Sequence, residues 1–380
     1  KRQKVNMATI KERIDGVTEN VTDGKQDIAS AITDKGVSTS SSATFSTMAD
    51  NIRAIEAGAK DRIVNSGETI YVIAGEKGVV IGDSANEAVG EYSVAEGYNS
   101  KAIGQYSHSE GSETIASGNC SHAEGAYTIA EGTSSHCEGD GTYATGDRSH
   151  AEGSSTKAIG TGSHSEGNGT IANGKYSHTE GNNTRANGDY SHAIGSNTTA
   201  LGIYSYAEGK SYTSAPTSFT SASTVSDIVS EWGSETFALA FGEASHVEGN
   251  DCVAYGTRSH AEGDATKAMG NYSHSEGQEA NAYGNCSHAE GHMTHAGGDN
   301  SHSEGDNCNA YGKNSHAEGY STEAIGEASH AEGSNTKAKG NYSHSEGNTT
   351  SALGEASHAE GNYTIASGWC SHTSGNYTQT

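Results

Sequence analysis

The chain has 380 residues, with 51 Gly, a single Pro, four Phe and only 32% hydrophobic residues, too little apolar material for the core of an ordinary globular protein of this length. A formal net charge of −26 argues against nucleic-acid partners gripped through phosphates and against docking on anionic lipid. No apolar run reaches the length of a membrane span and the amino end lacks a secretory-type apolar stretch, so membrane insertion is not expected.

Met7, Ile10, Ile14, Val17, Val21, Gly24, Ile28 and Ala31 follow one another in steps of three and four. This predicts a coiled-coil helix over residues 1–35, and the β-branched core residues Ile10, Ile14, Val17, Val21 and Ile28 favour a trimer. Residues 36–60 read as a linker and a short amphipathic helix carrying Phe45, Met48, Ile52 and Ile55. Residues 61–92, with Val72-Ile73 and Val79-Val80-Ile81, are the most apolar strand-like stretch. They predict a β cap that pairs with the first turn and covers an open sheet edge.

From Val94 onward one position, usually His, recurs every fourteen residues: at 108, 122, 136, 150, 164, 178, 192 and 206, then at 246, 260, 274, 288, 302, 316, 330, 344, 358 and 372. A period this short is one turn of a solenoid. Residues 93–209 make block one with nine turns, and residues 236–380 make block two with ten. At about 4.8 Å per turn the rod is on the order of 90 Å long. Residues 210–235 form an insertion with Pro216, Tyr212, Phe219 and Trp232, where Val225, Ile228, Val229 and Trp232 have helical spacing. It predicts a helix packed on the roll or a protruding contact loop, with Tyr212, Phe219 and Trp232 as candidate binding residues.

Within the turn that starts at Ser121, strand alternation assigns the faces. Ser121, Ala123, Thr128 and Ala130 are small and nearly uniform between copies, so they point inward. Ile129 and Glu131 vary freely between copies and point out. His122 and Glu124 also point out, yet His holds its position in 17 of 19 copies and Glu holds its own in 17. An outward face that does not vary is expected to touch something, most simply another copy. The predicted trimer-interface ladder pairs His of one protomer with Glu of the next at His108/Glu110, His122/Glu124, His136/Glu138, His150/Glu152, His260/Glu262, His274/Glu276 and His330/Glu332. Gly125 and Gly132 close two corners, where positive φ or close backbone approach excludes a side chain.

A general acid–base pair needs one site set apart from its surroundings, and fifteen equivalent pairs are not that, so no enzyme activity is expected. No cofactor and no dedicated metal site are expected; ions held by His rings on a three-fold axis are the sharper alternative. His292 and His295 form an HxxH that reads as surface variation. Cys120, Cys137, Cys252, Cys286, Cys308 and Cys370 form no CxxC pair and are never fourteen apart, which predicts free thiols.

The repeat, with its fourteen-residue period, its Gly placement and its Ser-x-Ala-x-Gly strand, resembles the head domain of trimeric autotransporter adhesins, the YadA-like left-handed parallel β-roll. The resemblance covers about residues 79–380 and implies three chains packed side by side. His and Glu stand where the apolar form Ser-Val-Ala-Ile-Gly has its intervening residues, so matrix binding associated with that family does not carry over. Residues 24–55, from Gly24-Lys25-Gln26-Asp27-Ile28 to Phe45-Ser46-Thr47-Met48, resemble a segment of tail proteins from phages and prophages of Gram-positive bacteria. Together these imply a mainly β homotrimeric fibre, a left-handed β-roll solenoid after a short coiled coil. It would project from a phage tail or similar extracellular particle, hold other tail or baseplate proteins through its amino end and contribute to attachment at a bacterial surface receptor. The alternatives are a trimeric adhesin head on the bacterial cell surface and an inert spacer with a binding tip beyond residue 380.

Overall fold

The computed structural model describes residues 22–32, 40, 42, 47–48, 62–63, 71–74, 78–83, 85–211 and 238–380. Ile10, Ile14, Val17 and Val21 of the predicted seam, Phe45, Ile52 and Ile55 of the second helix, and Tyr212, Phe219 and Trp232 of the insertion lie outside them. Residues 22–32 are helical. Ala29 and Ile32 bury against Met48, which lies in the helical pair 47–48, whereas the predicted seam residue Ile28 is on the exposed side.

The apolar stretch before the roll caps it by changing strand direction. Strand β1 (Arg62–Ile63) runs antiparallel to β2 (Tyr71–Ala74), β2 runs antiparallel to β3 (Gly78–Gly82), and β3 pairs in parallel with Ser93–Tyr98. Asn86 seals the first corner, donating to Ile81 O at 2.8 Å and Gly97 O at 2.9 Å while accepting from Ser100 N–H at 2.7 Å.

Each later turn is a long strand and a short strand, such as His122–Ala126 and Ile129–Ala130. Both pair in parallel with the equivalent strands fourteen residues away, His122 over His136 and Ile129 over Tyr143. The result is a mainly β parallel solenoid of two sheets. Ser121, Ala123, Thr128 and Ala130 are fully enclosed, as alternation predicts. The core between the sheets is so narrow that Ser can replace Ala only where its hydroxyl finds a partner. Ser109 meets Thr114 at 2.7 Å and Ser165 meets Thr170 at 2.7 Å. Where Thr is missing, Ser275 donates instead to Ala280 O at 2.6 Å.

The corners carry their own ladders. A Cβ would sit 2.1 Å from Gly139 O at Gly125 and 1.9 Å from Gly146 O at Gly132, and Gly125 alone of the two also has a positive φ, +107°. Tyr127 and Ser134, at the other two bends, hold φ near +55° and +58° without being glycine. The Asn or Asp after many corner glycines accepts a backbone N–H from the preceding turn: Thr133 donates to Asp147 Oδ1 at 2.9 Å and Lys175 to Asp189 Oδ1 at 2.9 Å.

The register passes straight across the insertion. Thr198–Ala200 pairs with Ala238–Ala240, and Tyr206–Lys210 pairs with His246–Asn250. Ser211 donates to Asp251 Oδ1 at 2.7 Å across the same join. Here the outward side of the short-strand sheet differs from the sequence expectation. Leu201, Leu239 and Val253 hold positions that are outward and variable elsewhere, yet they are shielded from solvent. These positions lie at the turns that flank the insertion; Asn281, at the same register further along, is also buried.

Candidate functional site

Parallel, in-register pairing puts every uniform outward residue of the long strand directly above its counterpart. The imidazoles therefore stack. Ring centroids are 4.8 Å apart for His108 and His122, 4.9 Å for His122 and His136, and 4.4 Å for His178 and His192. The stack runs from His108 to His192 and again from His246 to His372. Between the runs Tyr206 meets His192 and His246 edge-on. Its hydroxyl bonds Glu208, which with burial pushes the phenol up to about 12.

Every predicted ladder pair lies on this one face. Its His residues are half-buried; Glu110, Glu124, Glu152 and Glu262 are half-buried beside them, whereas Glu138, Glu276 and Glu332 are exposed. Within the chain the dominant contact is His on His. The His Nε2 to Glu Oε2 distance along one strand is 3.8 Å at His260/Glu262, 3.9 Å at His330/Glu332 and 4.0 Å at His108/Glu110, beyond hydrogen-bond reach. Around His150 the register sets the neighbours within the chain. Glu152 stands in register between Glu138 and Glu166, carboxylate over carboxylate, and the charge that pulls on the His150 ring is Glu138 of the preceding turn. Strand alternation puts Glu152 and His150 on one face, but their spacing along the strand leaves the rings to stack on each other instead.

The Nε2 atoms of His122, His136, His150, His260, His274 and His330 are shielded from solvent and bond nothing among the described residues. Burial, followed by the neighbouring imidazoles His108 and His136, lowers the His122 pKa against the pull of Glu124 and Glu110. Burial lowers His150, His260 and His330 in the same way. The seam is thus a column of stacked imidazoles flanked by a column of carboxylates. It can pair with a complementary face or hold cations between turns. Its copies are equivalent, so none is set apart as a general acid or base.

Sequence reading placed recognition on Tyr212, Phe219 and Trp232 and passed over a second aromatic feature. Tyr92 stacks on Tyr106 at 5.2 Å, Tyr176 on Tyr190 at 5.3 Å and Tyr190 on Tyr204 at 5.0 Å, all exposed at the corner two residues before the His position. Recurrence of Tyr at that register was the available signal. Beside the insertion Phe241 stacks on Tyr255 at 4.7 Å, over a hollow of about 390 Å³ bordered by Glu243, Thr257 and Asn271. His292 and His295 fall on different sheets, His292 meeting Asp306 Oδ1 at 2.9 Å. All six cysteines are free. Cys137, Cys252 and Cys308 are buried in the core, where burial pushes the Cys137 thiol up to about 11, and Cys120, Cys286 and Cys370 are exposed. No helix among the described residues is long and apolar enough to cross a membrane.

A profile of the YadA head domain repeat (2 copies) matches residues 88–107, 109–135, 181–198 and 345–369. The matches fall in both blocks and do not extend to the phage-like segment at 24–55. Comparison with curated proteins returns no match. Turns between the matched segments keep the same fourteen-residue register and the same corner glycines. Segments in both blocks of one uniform roll thus match the YadA head repeat, and the solenoid is similar to a YadA head.

Proposed function

We propose that three copies of this chain pack side by side through their His/Glu seams to form a left-handed, rod-like adhesin head, a structural and binding protein. One observation carries the reading. The short strand's outward residues vary from turn to turn, whereas the long strand's outward His and Glu stay constant and leave shielded Nε2 atoms without a partner among the described residues. A face held constant and partly dry is a contact face. Light scattering on the whole chain tests this: three times 39.0 kDa supports it, and a single 39.0 kDa species sinks it.

Heads of this kind are exposed at surfaces, which favours display on the bacterial cell surface. Tyr212, Phe219 and Trp232, with the tyrosine rungs, are the residues proposed to meet a receptor. A second reading, a tail fibre of a phage or phage-like particle, is favoured by the 24–55 segment. In that reading the coiled coil of residues 1–35 would trimerise the stalk and hold baseplate or tail proteins. Labelled whole chain binding to Gram-positive cell envelopes would favour the fibre; binding only to non-bacterial surfaces would favour the adhesin.

A further inference from the structure

The seam brings together groups that a simple contact face does not need. His122, Glu124 and His136 offer two imidazole nitrogens and a carboxylate oxygen all within 4.8 Å of one another, and His260, Glu262 and His274 do the same. Two imidazoles and one carboxylate are a ligand set for a borderline divalent ion such as Zn²⁺ or Ni²⁺, whereas Mg²⁺ and Ca²⁺ prefer oxygen alone. A tetrahedral ion about 2.1 Å from each ligand atom needs those atoms roughly 3.4 Å apart. The His and Glu atoms are 3.8 Å apart at His260/Glu262. The widest pair in the set, up to 4.8 Å apart, must close by about 1.4 Å, which needs both stacked imidazoles to turn towards the ion. The second pointer is independent of the geometry: Nε2 of His122, His136, His260 and His274 is shielded and has no hydrogen-bond partner among the described residues.

We propose that the His/Glu seam is a linear array of transition-metal sites, each built from the His and Glu of one turn and the His of the next. All ligands come from a single chain, so the sites do not rest on trimer formation. Consecutive triads share a residue: His274 belongs both to His260–Glu262–His274 and to His274–Glu276–His288. An Nε2 atom has one lone pair, so neighbouring triads cannot fill together. Occupancy is capped at one ion for every two turns, so the ten overlapping triads hold on the order of five ions per chain.

The test is calorimetric titration of the whole chain with Zn²⁺ alone at pH 7.5, with Mg²⁺ in parallel and metal content measured after dialysis. The expected result is several Zn²⁺ per chain, never above one per two turns, with no Mg²⁺ uptake. At pH 4.5 binding should weaken by about tenfold or more, because both imidazoles must shed protons to ligate. The double substitution His292→Gln/His295→Gln, off the seam, should keep the full capacity. Less than one Zn²⁺ per chain, equal uptake of Mg²⁺, or loss of binding in the off-seam variant would each overturn the proposal. Mass measured on the same samples separates the two readings: a metal-binding monomer removes the trimer alone, and a metal-free trimer removes the sites alone.

Discussion

At the scale of the residue, the roll depends on backbone contacts that leave no room for a Cβ. Gly125→Ala would force φ +107° on an L-residue and set its Cβ 2.1 Å from Gly139 O. The expected cost is roughly 3 kcal/mol or more, read as a lower urea midpoint or loss of soluble protein. Gly141 is the opposite case. Its φ of +63° is one that Ser155 and Asn183 adopt at the same register, and the nearest atom to an added Cβ is 3.9 Å away. Gly141→Asn should leave the stability unchanged or raise it by about a few tenths of a kcal/mol, since the unfolded chain loses freedom. Asp147→Ala should cost about 1 kcal/mol by stranding Thr133 N–H, and Asp147→Asn should cost little. The glycine corners were legible because no other residue fits there. The bends at Tyr127 and Ser134 were not, because a φ near +55° tolerates Tyr, Ser, Asn, Cys and Arg and so leaves no constant letter to read.

At the scale of the element, alternation along Ser121-His122-Ala123-Glu124 was enough to assign both faces, because a strand has only two. What alternation cannot show is who stands above whom. Strict fourteen-residue register turns a row of recurring His into a stack of imidazoles, and that stack changes the pH argument. Reading His against Glu of another copy predicts that acid loosens the assembly as Glu protonates. The depressed groups in the folded chain are instead imidazoles, held down first by burial and then by each other. A His whose folded pKa is lowered binds protons more weakly than in the unfolded chain. Its contribution is full above the ordinary value of about 6.5 and is lost as pH falls through that value towards the depressed one. Thermal melting should therefore be highest above about pH 7 and begin to fall as pH drops below about 6.5, before carboxylates titrate. A Tm flat across that window and falling only near pH 4 would return the effect to Glu. His192→Tyr, which copies the edge-on arrangement at Tyr206, should shorten the stack by one rung and soften this slope slightly.

At the scale of the whole molecule, the question is why a chain with a core of Ala, Ser and Thr is stable at all. Such side chains bury little apolar area per turn, so the rod needs either long-range hydrogen-bond ladders, which it has, or neighbours. The resemblance to the apolar Ser-Val-Ala-Ile-Gly turn gives a direct test of the second. Substituting His260→Val, Glu262→Ile, His274→Val and Glu276→Ile makes two adjacent turns apolar on the seam without touching the core or the corners. If the seam faces another copy, those turns exchange partly dry polar groups for packed aliphatic ones, which in buried settings is commonly neutral or stabilising. The variant should keep the mass of the parent assembly, melt a few degrees higher and lose part of its acid sensitivity. If the seam faces water, the same substitutions lay four large aliphatic side chains on an exposed strand face, and a soluble monomer should instead associate without a fixed stoichiometry. Size-exclusion profiles of the two proteins at equal concentration distinguish these outcomes. Parent and variant sharing one sharp trimer peak would place the constant face of the long strand inside the assembly.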